Sequence, residues 1–278
     1  MNKRYVWITL AVVMFVSAGV LIFYFFWANG YIVLPNSSPT TSYAEFTYPS
    51  LDTEPWMNIG SPTPTPRDAS ADYMDKENQD HEGINYNSPV DFAQLQAMNP
   101  DIVGWLYMND PEISQPILRS SSDDSFYLSH GANKSYDRAG SIYMESQYNS
   151  GDFNDMVTML YGHRMSSGAM FGNLQTGLEG VDLTNEPHYV VIYTPERMRI
   201  YRICATAPRD KKHVMHYNNF NNESVYNNFI SQIYSQTGSA ASHVQELKPQ
   251  YGDRLLILST CLRTDRTRRF LVIAKELT

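Results

Sequence analysis

Apolar positions follow three different regimes along this chain. From Tyr5 to Leu34 no charged side chain occurs, and Val6 to Trp27 is an almost unbroken apolar run. At 1.5 Å per residue, a helix of that length crosses a hydrocarbon layer of about 30 Å. Lys3 and Arg4 precede the run, while Trp7, Tyr24 and Trp27 stand near its ends. Positive-inside orientation with interfacial aromatics therefore predicts a signal-anchor over residues 1–34, the N-terminus cytoplasmic and the remainder outside the cell. A cleaved signal peptide is the competing reading, since Ala28-Asn29-Gly30 offers small residues. Its apolar region, however, spans only about 7–15 residues, and this run is longer.

Residues 35–87 show neither a helical nor a strand period. They are rich in proline, as in Ser61-Pro-Thr-Pro-Thr-Pro66, and carry nine acidic residues against Arg67 and Lys76. Such a segment buries too little apolar surface to offset the entropy of ordering it, so a disordered, partly polyproline II stalk is expected. Most of the chain's net charge of −8 resides here. Acidity thus describes the stalk rather than what the folded part binds, and no basic stripe points to nucleic acid.

Folded periodicity begins at Ser88. Ser88 as N-cap, Pro89 at the first helical position and Pro100 beyond the end predict a short opening helix over 88–98. Short runs of β-branched, aromatic and aliphatic residues follow at 104–108, 113–119, 141–145, 156–161, 188–194, 198–206, 254–260 and 269–275, separated by Gly, Asn, Asp and Pro. Eight short strands suggest a closed barrel or a sandwich. One segment breaks the pattern: over 222–234, Tyr226, Phe229, Ile230 and Ile233 recur at helical spacing, which predicts an amphipathic helix packed on the strands. The folded domain is expected over 88–278.

Two strand-like runs end on reactive side chains. Arg254-Leu-Leu-Ile-Leu-Ser-Thr-Cys261 stops at a thiol, then a turn rich in arginine leads to Arg269-Phe-Leu-Val-Ile-Ala-Lys275. If the two runs form an antiparallel pair, Cys261 and Arg269 share one end of it. A permanent cation beside the thiol favours the nucleophilic thiolate, and its rigid donors suit an oxyanion. A solvated, charged hairpin tip is the plainer reading, and Arg263, Arg266 and Arg268 share the turn. The second run, Asp155 to Leu160, passes through Tyr161 and Gly162 to His163, a candidate general acid, with His130 its chief rival. Cys204 sits inside a strand and reads as a small buried hydrophobe, although a Cys204–Cys261 disulfide stays open. No metal-ligand motif and no phosphate-binding loop occurs.

Leu258-Ser-Thr-Cys261 with Arg269 opening the last strand resembles the C-terminal motif of sortases. Leu160-Tyr-Gly-His163-Arg-Met followed by Met170-Phe-Gly-Asn-Leu174 resembles the histidine segment of their class B members, as does Phe126-Tyr-Leu128 leading to Ala139-Gly-Ser-Ile-Tyr-Met144. The likeness runs from about Ser88 to Lys275. It implies an eight-stranded sortase-type β-barrel and a membrane-anchored cysteine transpeptidase of a Gram-positive bacterium, without cofactor. Such an enzyme cleaves the sorting signal of a surface protein after threonine through a thioester, then passes the acyl group to an amine of a peptidoglycan precursor or a pilin lysine. By motif position Cys261 is the nucleophile, His163 the general acid and later base, and Arg269 the residue that positions substrate and stabilises the oxyanion. Arg268 is the fallback for Arg269; Tyr161 and Ser259 are expected to line the substrate groove. A non-catalytic surface-binding module on the same barrel is the alternative.

Overall fold

The computed structural model describes residues 88–277, so the expected anchor and stalk lie outside the described residues. Among the described residues no helix is long and apolar enough to cross a membrane.

The opening helix, α1 (Phe92–Met98), starts later than its sequence suggests. Asp91 rather than Ser88 caps it, with Oδ1 accepting the Gln94 N–H at 2.9 Å. Ser88 instead holds the Val90 N–H in the preceding turn, and Pro89 stays outside the helix. The reason is the apolar stripe: Phe92 and Leu95 are the buried pair, and Asp91 stands immediately before that pair begins.

Nine strands follow: β1 (Ile102–Asn109), β2 (Glu112–Leu118), β3 (Ile142–Tyr143), β4 (Val157–Tyr161), β5 (Tyr189–Tyr193), β6 (Met198–Arg209), β7 (Ser242–His243), β8 (Leu255–Cys261) and β9 (Arg269–Glu276). Around the sheet the order is β5-β1-β2-β3-β4-β8-β9-β6, and β5 pairs with β6 to close it. This is the eight-stranded barrel that the resemblance implies, where the pattern alone left barrel and sandwich open; β7 adds itself to β6 outside the ring. Its two polar residues carry no strand signal, which is why the sequence hid it. Closure removes the sheet edges that would otherwise template aggregation.

Side chains alternate between two apolar layers. Leu160, Leu256, Leu258, Phe270 and Val272 point into the barrel, whereas Val157, Met159, Leu255, Ile257, Leu271 and Ile273 point outward into a second cluster. Strands β4, β8 and β9 are therefore covered on both faces, which accounts for their unbroken apolar runs. Three further helices are α2 (Leu174–Leu178), α3 (Val214–Tyr217) and α4 (Glu223–Tyr234). The outer layer is completed by α4, capped by Asn222, which presses Tyr226, Phe229, Ile230 and Ile233 onto β8 and its neighbours, the stripe expected from the sequence. With five and four residues, α2 and α3 are too short to show a helical period, and the sequence pattern missed them.

Candidate active site

Register in β4, β8 and β9 decides which side chains meet. β4 and β8 run parallel, with Tyr161 opposite Ser259. His163 and Cys261 each lie two residues beyond that pair, so both emerge at the same end of adjacent strands. β8 and β9 run antiparallel, with Cys261 opposite Arg269. Alternation then fixes the face: Leu255, Ile257, Ser259 and Cys261 share the outward side of β8, the side that α4 covers further down. Beyond the reach of α4 the same side carries Cys261 and Arg269, at the end of the sheet where β4 leads into His163.

Cys261 is partly exposed, and Arg269 Nη1 stands 3.9 Å from its Sγ. The same nitrogen donates to the carbonyls of Arg266 and Arg268, at 3.4 and 3.3 Å, so the turn itself holds the guanidinium beside the thiol. Arg268 is exposed and offers its carbonyl rather than its cation. On the next strand, Arg209 pairs with Arg269 across the sheet but leans onto α4, over the Phe229 ring and toward Gln232 Oε1 at 3.0 Å. Both cysteines are free. Cys204 sits fully buried in the outer cluster, where burial pushes its thiol up to about 12. It stays protonated and inert, as its mid-strand context suggested.

His163 is held from the side opposite the strands. Its Nε2–H donates to the Leu128 carbonyl at 2.8 Å, while its own carbonyl accepts the Phe171 N–H. A carbonyl only accepts, so this contact places the proton of the neutral ring on Nε2 and leaves Nδ1 to exchange one. Leu128 ends a single 3₁₀ turn, Phe126–Leu128, whose carbonyls crowd Gly140. A Cβ on Gly140, where φ is +58°, would lie 2.6 Å from the oxygens of both Tyr127 and Leu128. Only glycine lets the chain pass there. His130, the rival candidate, is committed elsewhere: its ring stacks on Phe126 with centroids 4.0 Å apart, and Nδ1 donates to the Phe126 carbonyl.

Tyr161 lies two residues in from His163, its ring stacked 5.5 Å from Tyr143. Burial first, then the Glu145 carboxylate, raises both phenols well above their ordinary value, so they remain O–H donors at any physiological pH. Ser259 is only 4% exposed and its carbonyl accepts the Gly162 N–H. It supports the floor rather than presenting a side chain to a groove. Sequence reasoning missed the wall beside this floor. His213, between β6 and α4, approaches both Glu145 oxygens, Oε1 at 2.9 Å and Oε2 at 2.8 Å, and lies 3.4 Å from the Tyr161 hydroxyl. Its Nδ1 accepts the His216 N–H and caps α3, while His216 bonds Tyr148 at 3.0 Å. The segment 210–222 is thus a strap fastened at its far side to residues 145–148. Contacts between positions so distant in the chain leave no local trace in the sequence.

Known proteins resemble this chain in sequence and fold. The family model described as the sortase domain matches residues 108–277, a span that contains His163, Cys261 and Arg269. Sortase B of Listeria monocytogenes is 31% identical over 198 residues, covering 70% of this chain and 75% of that protein. Sortase B of Staphylococcus aureus is 25% identical over 190 residues, 66% of this chain and 73% of that protein. Among solved structures, sortase B of Bacillus anthracis in complex with AAEK1 aligns with a TM-score of 0.58 at 25% identity, over 74% of this chain and 95% of that one.

Proposed function

The chain belongs to the sortase family, as a class B sortase and hence a cysteine transpeptidase, and from that premise we propose that Cys261, His163 and Arg269 perform the acyl transfer. The reading rests above all on one observation, the register that sets Cys261 opposite Arg269 with Sγ and Nη1 3.9 Å apart. The Cys261 thiolate attacks the carbonyl of the threonine in a sorting signal. Negative charge then gathers on the carbonyl oxygen, where the Arg269 guanidinium offers fixed donors that need no reorganisation. His163 enters as imidazolium and gives its Nδ1 proton to the departing amine, keeping the Nε2–H on the Leu128 carbonyl. The C–N bond breaks and a thioester remains on Cys261. An incoming amine attacks that thioester, His163 Nδ1 takes its excess proton, and collapse breaks the C–S bond, forming the new amide and freeing the Cys261 thiolate beside the imidazolium.

The acceptor we infer is an amine of a peptidoglycan precursor or a pilin lysine, and the donor a surface protein bearing a C-terminal sorting signal. Both sit at the outer membrane surface of a Gram-positive cell, which fits a single-pass anchor over Val6 to Trp27 with the catalytic domain outside. Tethering enzyme and substrate to one surface replaces free diffusion by a high effective concentration. Tyr161, with Tyr143 and the strap, is assigned to the groove that takes the peptide.

Incubating the full chain with sorting-signal peptides and an amine tests this directly. Mass spectrometry is expected to find an acyl adduct on Cys261 that the amine removes. Turnover that survives Cys261→Ala sinks the proposal. Protease treatment of intact cells checks the topology: the catalytic domain is expected to be cleaved without lysis, and full protection rules the orientation out.

A further inference from the structure

The loop carrying His163 and the turn following Cys261 are tied together at a distance from the reacting atoms. Arg164 and Met170 pair across the mouth of the His163 loop, which then runs directly into α2. Gln175 of α2 is only 1% exposed. Its Oε1 accepts the Arg263 N–H at 2.7 Å, and its Nε2 donates to Glu179 Oε2 at 3.3 Å. Glu179 also receives Arg263 Nη2 at 3.0 Å and, on Oε1, the Ser239 hydroxyl at 3.0 Å. Arg263 stands two residues after Cys261, and the residue between them, Leu262, is sunk in the inner core beside Leu174 and Leu178. Its N–H is tied back to the Arg268 carbonyl.

A buried amide on a short helix is unexpected where methionine or leucine would fill the same space. What Gln175 supplies is an acceptor for a backbone N–H left without a strand partner as the chain leaves β8. We propose that Gln175, braced by Glu179, is a positioning residue for the transpeptidation. It fixes the chain beyond Cys261 against the helix that closes the His163 loop, so thiol and imidazole keep one separation. This rests on the assignment of Cys261 and His163 made above. Neither Gln175 nor Glu179 touches the reacting atoms; they act through the two segments they join.

Alkylation of the full chain with iodoacetamide, followed residue by residue with mass spectrometry, tests the inference without a peptide substrate. Cys204 serves as the internal standard. Gln175→Met is expected to slow Cys261 alkylation at pH 7 by about tenfold, well inside the hundredfold that a 1 Å misplacement can cost, and to displace its pH profile. Gln175→Glu combined with Glu179→Gln keeps an oxygen toward the Arg263 N–H and a donor–acceptor pair between positions 175 and 179, and is expected to restore most of the rate. Glu179→Ala, at a partly exposed position that leaves the core intact, is expected to displace the profile in the same direction by less. If Gln175→Met and Glu179→Ala lower only the thermal midpoint and leave the Cys261 profile unchanged, the inference is overturned and the pair is structural. If wild-type Cys261 reacts no faster than Cys204, the nucleophile assignment itself fails, and this inference with it.

Discussion

At Cys261 and Arg269 the proposed chemistry depends on which atoms can approach, not only on charge. Lysine at 269 would keep the cation but lose the planar fork that the Arg266 and Arg268 carbonyls hold in place. Arg269→Lys is therefore expected to lower kcat by roughly 10²–10³, the cost of losing one oxyanion donor, with little change in thermal midpoint; activity within a few-fold of wild type would remove Arg269 from the oxyanion role. Gly140 offers a subtler test, because a methyl group there pushes on the carbonyl that holds His163. Gly140→Ala is expected to reduce kcat while the chain still folds, as circular dichroism can verify. Cys261 and His163 were legible in the sequence because each ends an apolar strand run on a side chain able to do chemistry. Leu128 was not, since what it contributes is a backbone carbonyl that every residue possesses. Ser259 was legible only in position: two-sided burial of β8 turned a supposed groove-lining side chain into floor.

Among the elements, α4 and the strap illustrate opposite ends of what pattern reveals. α4 declared itself through four apolar residues at helical spacing, and the outer cluster is built on that stripe. Ile230→Ala is expected to destabilise the fold by about 2–5 kcal/mol, measurable by denaturant unfolding, whereas Asn228→Ala on the exposed side should stay within about 0.5 kcal/mol. The strap, by contrast, is polar and aperiodic, and what fastens it is a pair of histidines reaching a glutamate and a tyrosine that lie 68 residues away in each case. Losing one fastening loosens the segment locally rather than unfolding the barrel. His213→Ala is accordingly expected to speed limited proteolysis within residues 210–222 at an almost unchanged thermal midpoint. Equal proteolysis rates for the two chains would show that the bond to Glu145 does not hold the strap.

For the folded unit as a whole, pH stability is set by carboxylates that turns and caps hold ionised. Bonds from Ser150 and Asn154 bring Asp152 down to about 2, and Ser125, Arg263, Asn185 and Thr267 lower Asp123, Glu179, Asp182 and Asp265 in the same way. Folded values below unfolded ones mean that these groups contribute fully above about pH 4, the unfolded carboxylate range. Their contribution disappears as pH falls through the folded values. The thermal midpoint is thus expected to drop between about pH 4 and 2, and Asp152→Asn to flatten part of that drop; an identical acid profile for the variant would remove Asp152 from the account. Sequence alone determined the strand content, the main packing helix and the two strand-end side chains, because each follows from local periodicity or from where an apolar run stops. Closure of the barrel, the extra β7 pairing and the placing of Cys261 against Arg269, beside the strand that leads to His163, were decided by tertiary structure. Register between strands far apart in the chain depends on which apolar faces must be buried together, and no local stretch encodes that.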